Sequence, residues 1–85
     1  MNIPSVGQRF KVTHSKYKEH FIGVIISVDN NPENSDRQFK IAQSERTNYD
    51  AIGRPYTQPD SVIEVERNWF DAELTGRKIT PITEN

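Results

Sequence analysis

The chain contains no cysteine, so neither a disulfide nor a thiolate metal site can stabilise its fold. It has no apolar run near the roughly 20 residues that a membrane-spanning helix needs. Its first seven residues lack the charged start and long apolar stretch of a signal peptide. These absences predict a soluble cytoplasmic protein that does not act in a membrane.

The chain is short and polar, yet its apolar residues are clustered. Eighty-five residues suffice for one domain, and we expect it to cover residues 1–85. The hydrophobic fraction is 33% and the mean hydropathy is -0.81. Six of the eight positions from Phe21 to Val28 are apolar. Clustering of this kind predicts a small folded core rather than a disordered chain.

Alternation of polar and apolar residues predicts several β-strands with one face turned inward. The predicted inward side chains outside the longest strand are Phe10, Val12, Phe39, Ile41, Ile63 and Val65. Residues 21–29 form the longest strand, with an unbroken apolar row of Ile22, Val24, Ile26 and Val28 on one face. The other face is partly apolar as well, so we expect this strand to be central and covered on both sides. Gly23 predicts a bulge or a bend in this strand. The turn-forming residues 30–36 predict a β-hairpin over residues 21–42.

The last third of the chain predicts one short helical turn between two strands. Asn68 is expected to cap this turn near residues 68–75, and Gly76 is expected to end it. Phe70 and Leu74, four residues apart, should share its buried face. Pro81 predicts that the strand over residues 77–82 lies at a sheet edge.

Residues 44–60 read as a long connection because Gly53, Pro55 and Pro59 are typical of turns. A connection of this length is unusual in a compact domain and is often functional. We therefore expect a recognition segment here.

The order of these elements resembles that of small SH3-like barrels, including the KOW and Tudor-like variants. The likeness rests on Gly7–Val12, Gly23–Val28, Phe39–Ile41 and the turn at Trp69-Phe70 before Ile79. It implies a mostly β fold, either a five-stranded barrel or a strongly bent antiparallel sheet with the short helical turn. The size and polarity are similar to those of accessory proteins of phages and other mobile elements. Such barrels host many unrelated functions.

Catalytic and metal-binding patterns are weak in this sequence. Ser15 follows His14 directly, but neighbouring side chains on an extended chain point apart. Glu64 and Glu66 share a strand face, which is typical of a solvated surface. His14, His20 and Glu19 match no ligand spacing of zinc sites, and no phosphate-binding glycine loop is present. We predict a non-catalytic protein with no catalytic residue, no metal and no cofactor.

The predicted activity is binding to a protein, as an interaction module or an inhibitor of a larger machine. Tyrosine, tryptophan and arginine are enriched at interface hot spots. The candidate residues are Arg46, Tyr49, Arg54, Tyr56 and Trp69. The alternative for the two tyrosines is that they pin a long loop onto the domain, and the alternative for Trp69 is a place in the core.

The alternative partner is a nucleic acid, bound by a basic N-terminal region. Residues 1–20 carry a net charge of +3, and residues 61–85 carry -2. The candidate residues of this region are Arg9, Lys11, Lys16, Tyr17 and Lys18. The overall charge of -1 and the pI near 6.1 favour a protein partner. An edge strand leaves the oligomeric state open.

Overall fold

The computed structural model describes residues 3–16 and 18–82. The fold is mostly β, as predicted. Its six strands are β1 (Arg9–His14), β2 (His20–Val28), β3 (Phe39–Tyr49), β4 (Pro55–Gln58), β5 (Ser61–Val65) and β6 (Arg77–Pro81). A 3₁₀ helix (Pro32–Arg37) joins β2 and β3, and a second one (Arg67–Phe70) precedes the one-turn helix α1 (Ala72–Thr75).

All six strands belong to one antiparallel sheet, which does not close on itself. The sheet order is β4-β3-β2-β1-β6, and β5 also pairs with β3. The predicted hairpin of residues 21–42 is confirmed by the pairing of β2 with β3. The predicted number of five strands is wrong, because β4 lies in the segment interpreted as a loop. Within the described residues, no helix has the length and apolar character needed to cross a membrane.

The core lies on one face of the sheet, called here the inner face. Its buried members are Phe10, Val12, Phe21, Ile25, Phe39, Ile41, Val65 and Phe70. The second 3₁₀ helix places Phe70 over this face, where its ring meets those of Phe10 and Phe39 edge to face. The predicted inward residues of β1, β3 and β5 are confirmed, although Ile63 is only half-buried.

The prediction that β2 is covered on both sides is wrong, because only one of its faces enters the core. On that face Phe21 and Ile25 are buried with Gly23 between them. The residues of the unbroken apolar row on the other face are half-buried or exposed: Ile22, Val24, Ile26 and Val28. Both faces of β2 are apolar near its start, so alternation alone does not choose between them. The Phe21 ring lies 6.2 Å from that of Trp69, so the buried face of β2 also makes an aromatic contact.

β2 has the predicted irregularities, but Gly23 itself lies between them and allows a close approach of another side chain. The register of β2 against β3 shifts on either side of it, between His20 and Ile22 and between Ile25 and Ser27. A Cβ at position 23 would lie 2.7 Å from Cε2 of Phe10. Only glycine lets the Phe10 ring rest directly on the backbone of β2.

The prediction of a long loop at residues 44–60 is also wrong. β3 continues through a kink at Glu45, whose φ is +50°, and then pairs with β4 from Arg46↔Gln58 to Tyr49↔Pro55. The loop was predicted because Pro55 and Pro59 are typical of turns. A proline is compatible with an edge strand, because its missing N–H can face solvent there.

The predicted helical turn is two separate pieces. Asn68 does not cap it; the side chain of Asp71 caps α1 by accepting the N–H of Glu73. Asp71 has extended backbone angles, so the four-residue spacing from Phe70 to Leu74 no longer lies on one helix. Phe70 is buried whereas Leu74 is exposed, contrary to their predicted shared face. Gly76 ends α1 in the left-handed conformation, and β6 is an edge strand, as predicted.

Candidate interaction surface

The second half of β3 and all of β4 form a hairpin that we call the arm, residues 46–58. None of its residues belongs to the core or is among the apolar side chains packed against it. Within the described residues, β4 pairs with β3 alone. The arm is therefore regular structure that the core does not require.

The tip of the arm is fixed by a network around Asp50. Its carboxylate accepts the backbone N–H groups of Ile52 (3.0 Å) and Arg54 (2.8 Å). The backbone bonds Asp50 N–H to Arg54 O and Gly53 N–H to Asp50 O close the turn, each at 3.0 Å. Gly53 has a φ of +86°, which favours glycine. The hydrogen bond from the Arg54 backbone, with smaller contributions from other donors, holds the pKa of Asp50 below its ordinary value of 3.8.

This ordered tip presents apolar and aromatic side chains to solvent. Ile52 is 73% exposed, Tyr56 is 47% exposed and Tyr49 is 38% exposed. Tyr49 lies opposite Pro55, and Tyr56 lies opposite Asn48, so the two tyrosines project from opposite faces of the arm. Neither tyrosine belongs to the core cluster or to the side chains packed against it, so the alternative of a loop pinned by tyrosines finds no support in these positions.

The two candidate arginines hold the arm together. Arg54 donates from Nε to Oδ2 of Asp50 at 3.2 Å. At the base, Nη1 of Arg46 lies 3.5 Å from Oε1 of the buried Gln43, which also accepts the hydroxyl of Ser61. Both arginines therefore have intramolecular contacts that help to position the exposed residues.

Trp69, the fifth candidate, packs beside the core away from the arm's strands. Its ring is half-buried and lies 5.1 Å from that of Phe70. The guanidinium of Arg77 lies 4.9 Å from the centre of the indole ring. Such a contact is a cation–π interaction, and it occupies part of the surface that a partner would use.

The structure divides the predicted basic region into two places. Lys16 and Lys18 line an open groove of about 560 Å³ together with Asn48 and Tyr49 of the arm. Glu19 and Asp50 line the same groove, so its charge is mixed. Tyr17 lies outside the described residues.

Arg9 and Lys11 lie elsewhere, on the outer face of the sheet. Phe10 and Val12 alternate with them and point into the core. The loop cations and the strand cations therefore belong to different surfaces.

Among the described residues, no three His, Cys, Asp or Glu side chains are grouped as metal ligands would be. The adjacent His14 and Ser15 lie beside the turn at Gly76, and Nδ1 of His14 accepts the N–H of Lys16. Through this hydrogen bond the imidazole of His14 contacts the backbone of the loop that follows β1.

Sequence reasoning located Tyr49 and Tyr56 but missed Ile52 and the role of Asp50. The signal for the turn was present in Asp50 to Gly53, since aspartate accepts backbone N–H groups two residues on and glycine tolerates positive φ.

Comparison of the chain with protein-family models, curated proteins and solved structures found no match.

Proposed function

We propose that the protein is a non-catalytic binding module that holds a protein partner with the tip of the arm. The observation that carries this proposal is an ordered hairpin outside the core that exposes Ile52 between two tyrosines. Burial of an exposed apolar side chain against a partner is favourable, because it removes apolar surface from water.

The rigidity of the tip supports recognition. A turn that is already fixed by the Asp50 network loses little conformational entropy when it binds. Tyrosine adds large contact area with few rotatable bonds and keeps a hydroxyl for hydrogen bonding. The arm therefore combines a low ordering cost with side chains suited to an interface centre.

The charge of the neighbouring groove supports a protein rather than a phosphate backbone at this site. Lys16 and Lys18 are offset there by Glu19 and Asp50. A polyanion would meet both signs, whereas a protein surface can present matching charges of both signs.

We also propose that the architecture is SH3-like in its open form, a strongly bent antiparallel sheet rather than a closed barrel. The order β3-β2-β1-β6, with β5 beside β3 and a 3₁₀ turn shortly before the last strand, supports this likeness. The likeness carries no function by itself.

The test is affinity purification from the source cells with quantitative mass spectrometry, using wild type, Ile52→Ser and the matched control Leu74→Ser. Leu74 is 68% exposed on α1, close to the 73% of Ile52, so the two changes remove similar exposed surface. We expect one protein to be enriched by wild type and by Leu74→Ser but lost with Ile52→Ser. Recovery of no specific protein, or equal recovery with all three, would contradict the proposal.

A further inference from the structure

The charges of this protein are strongly segregated in its sheet. The adjacent strands β2, β1 and β6 carry Arg9, Lys11, Arg77 and Lys78, two histidines and no aspartate or glutamate. All twelve acidic residues of the chain lie outside these strands, although the net charge is -1. One part of the sheet is therefore cationic on a protein that is slightly acidic overall.

Three of these cations share the outer face. The inward position of Phe10 and Val12 places Arg9, Lys11 and Thr13 on the outer face of β1. The pairs Lys11↔Thr80 and Thr13↔Lys78 place Lys78 and Thr80 on that same face of β6. Residues two apart on a strand, and diagonal residues on neighbouring strands, are separated by roughly 7 Å. Lys78, Lys11 and Arg9 thus form a continuous row that we call the cationic face.

The cationic face is exposed to solvent. All three side chains are exposed. In the part of the chain that the structure describes, neither Lys11 nor Lys78 has a carboxylate within 4.0 Å. Like charges held at this separation repel each other, with an energy that depends on how far solvent and salt screen them. An anionic ligand would remove that repulsion.

The neighbouring side chains define the chemistry of the ligand. Thr13 and Thr80 add hydroxyl donors beside the cations. The aromatic residues of these strands, Phe10 and Phe21, are both buried, so no aromatic ring of β1, β2 or β6 is available for stacking on bases. Such a surface can contact phosphates but offers no ring on which bases could stack.

We propose that Arg9, Lys11 and Lys78 form a second binding site, which takes the phosphate backbone of a nucleic acid without sequence preference. This site lies apart from the arm and does not depend on the protein-binding proposal. It differs from the predicted basic region of residues 9–18, because Lys78 replaces the loop lysines.

Fluorescence anisotropy with a labelled 20-nucleotide single strand and a 20-base-pair duplex of mixed sequence tests the proposal. Three phosphate contacts predict a slope of log K against log salt of about -2.7 for duplex and -2.1 for single strand. Affinity for duplex should then fall about 40-fold between 50 and 200 mM salt. Two different duplex sequences should bind equally well.

For the double variant Lys11→Gln/Lys78→Gln, the affinity for duplex should fall only about fourfold between 50 and 200 mM salt, because two of the three phosphate contacts are removed. Lys40→Gln is the matched control, since Lys40 lies on the outer face of β3 opposite Glu64. It should bind within about twofold of wild type, because rim charges outside the contact contribute little. Thermal denaturation of the double variant should show an unchanged or raised Tm, which excludes unfolding as the cause of weaker binding.

Three results would overturn the proposal. The first is no binding of either oligonucleotide at 50 mM salt. The second is binding that is insensitive to the double variant or is lost with Lys16→Gln/Lys18→Gln instead. The third is binding to vesicles of anionic lipid but to neither oligonucleotide, which would assign the face to a membrane surface.

Discussion

Gly23 sets how closely β1 and β2 pack at the centre of the core. The pair Phe10↔Gly23 places a fully buried ring directly over a residue with no side chain. A Cβ there would also lie 3.2 Å from Cγ2 of Ile41. Two buried side chains would have to move to make room for a single methyl group.

We expect Gly23→Ala to destabilise the protein by about 1–3 kcal/mol, the usual cost of overpacking a core. In the double variant Gly23→Ala/Phe10→Leu the smaller side chain at position 10 makes room for the methyl group. Its loss of stability should therefore be clearly less than the sum of the two single losses. Urea denaturation of the four proteins measures this coupling. Additive losses would show that the clash does not exist.

At the level of single residues, sequence reasoning found most of the core but few contacts. Phe10, Phe39 and Ile41 were predicted inward from alternation alone, which requires only the period of a strand. The clash at Gly23 depends on the pairing of β1 with β2, and local pattern does not give that pairing in atomic detail. Lys78 was missed for the same reason, since its nearness to Lys11 exists only once β6 pairs with β1.

The turn of the arm is the element in which charge and backbone are most closely coupled. The Asp50 carboxylate accepts two backbone N–H groups and the Arg54 side chain. Its pKa is lowered below 3.8, chiefly by the Arg54 backbone N–H. A carboxyl group with a lower pKa in the folded state stabilises that state at pH values above its ordinary pKa of 3.8. This contribution declines below that value and is lost as the pH falls through the folded-state pKa.

We therefore expect an NMR titration of the Asp50 carboxyl carbon to give a pKa below 3.8. Arg54→Gln should keep the pKa below 3.8, because the main backbone donor remains in place. The arm amides should become more mobile as the pH falls through the folded-state pKa of Asp50 and the carboxylate is protonated. A pKa at or above 3.8 in the wild type would show that the turn does not form in solution.

Secondary-structure elements were predicted correctly where one physical signal dominated, and the predictions failed where two signals competed. β1 and β5 have one apolar face and were correctly oriented. β2 has two, and alternation alone does not show which one is buried. The prolines of residues 44–60 indicate both loops and edge strands, and here they serve an edge. Asp71 breaks the helical turn, which separates Phe70 from Leu74.

Two of the strands with a free edge, β4 and β6, carry features that oppose further strand pairing. On β6, the N–H of Arg77 is bonded to the Thr75 hydroxyl, and Pro81 has no N–H. On the opposite edge, Pro55 lies in β4 and Pro59 follows it. Edge strands guarded in this way resist aggregation.

The whole molecule is more extended than its length requires. Its Cα radius of gyration is 13.3 Å, against about 12 Å for a compact domain of 85 residues. Its longest dimension is 42 Å. This shape and the absence of arm residues from the core fit the proposal that the arm contacts a partner.

At this scale, composition predicted a small single β-domain but not its two surfaces. The net charge of -1 conceals an acid-free set of three adjacent strands, because segregation depends on which strands pair. The exposed tip at Ile52 was hidden in the same way within a segment interpreted as a loop. Total charge and local propensity do not contain this information.

Both proposed surfaces depend on the described fold, and the hydrogen-bond pattern of the arm is its most specific feature. The bond from Asp50 N–H to Arg54 O identifies a hydrogen-bonded pair, so the alternation of an antiparallel ladder makes Asn48/Tyr56 and Arg46/Gln58 bonded pairs too. The amide of Thr57, between them, faces the free edge.

Amide hydrogen exchange followed by NMR on the free protein tests this claim most directly. The amides of Tyr56 and Gln58 should exchange at least about tenfold more slowly than that of Thr57, because a bonded amide must open before it exchanges. Exchange of all amides from 46 to 58 at the rate of an unstructured peptide would mean that there is no arm. The proposed presentation of Ile52 to a partner would then be wrong.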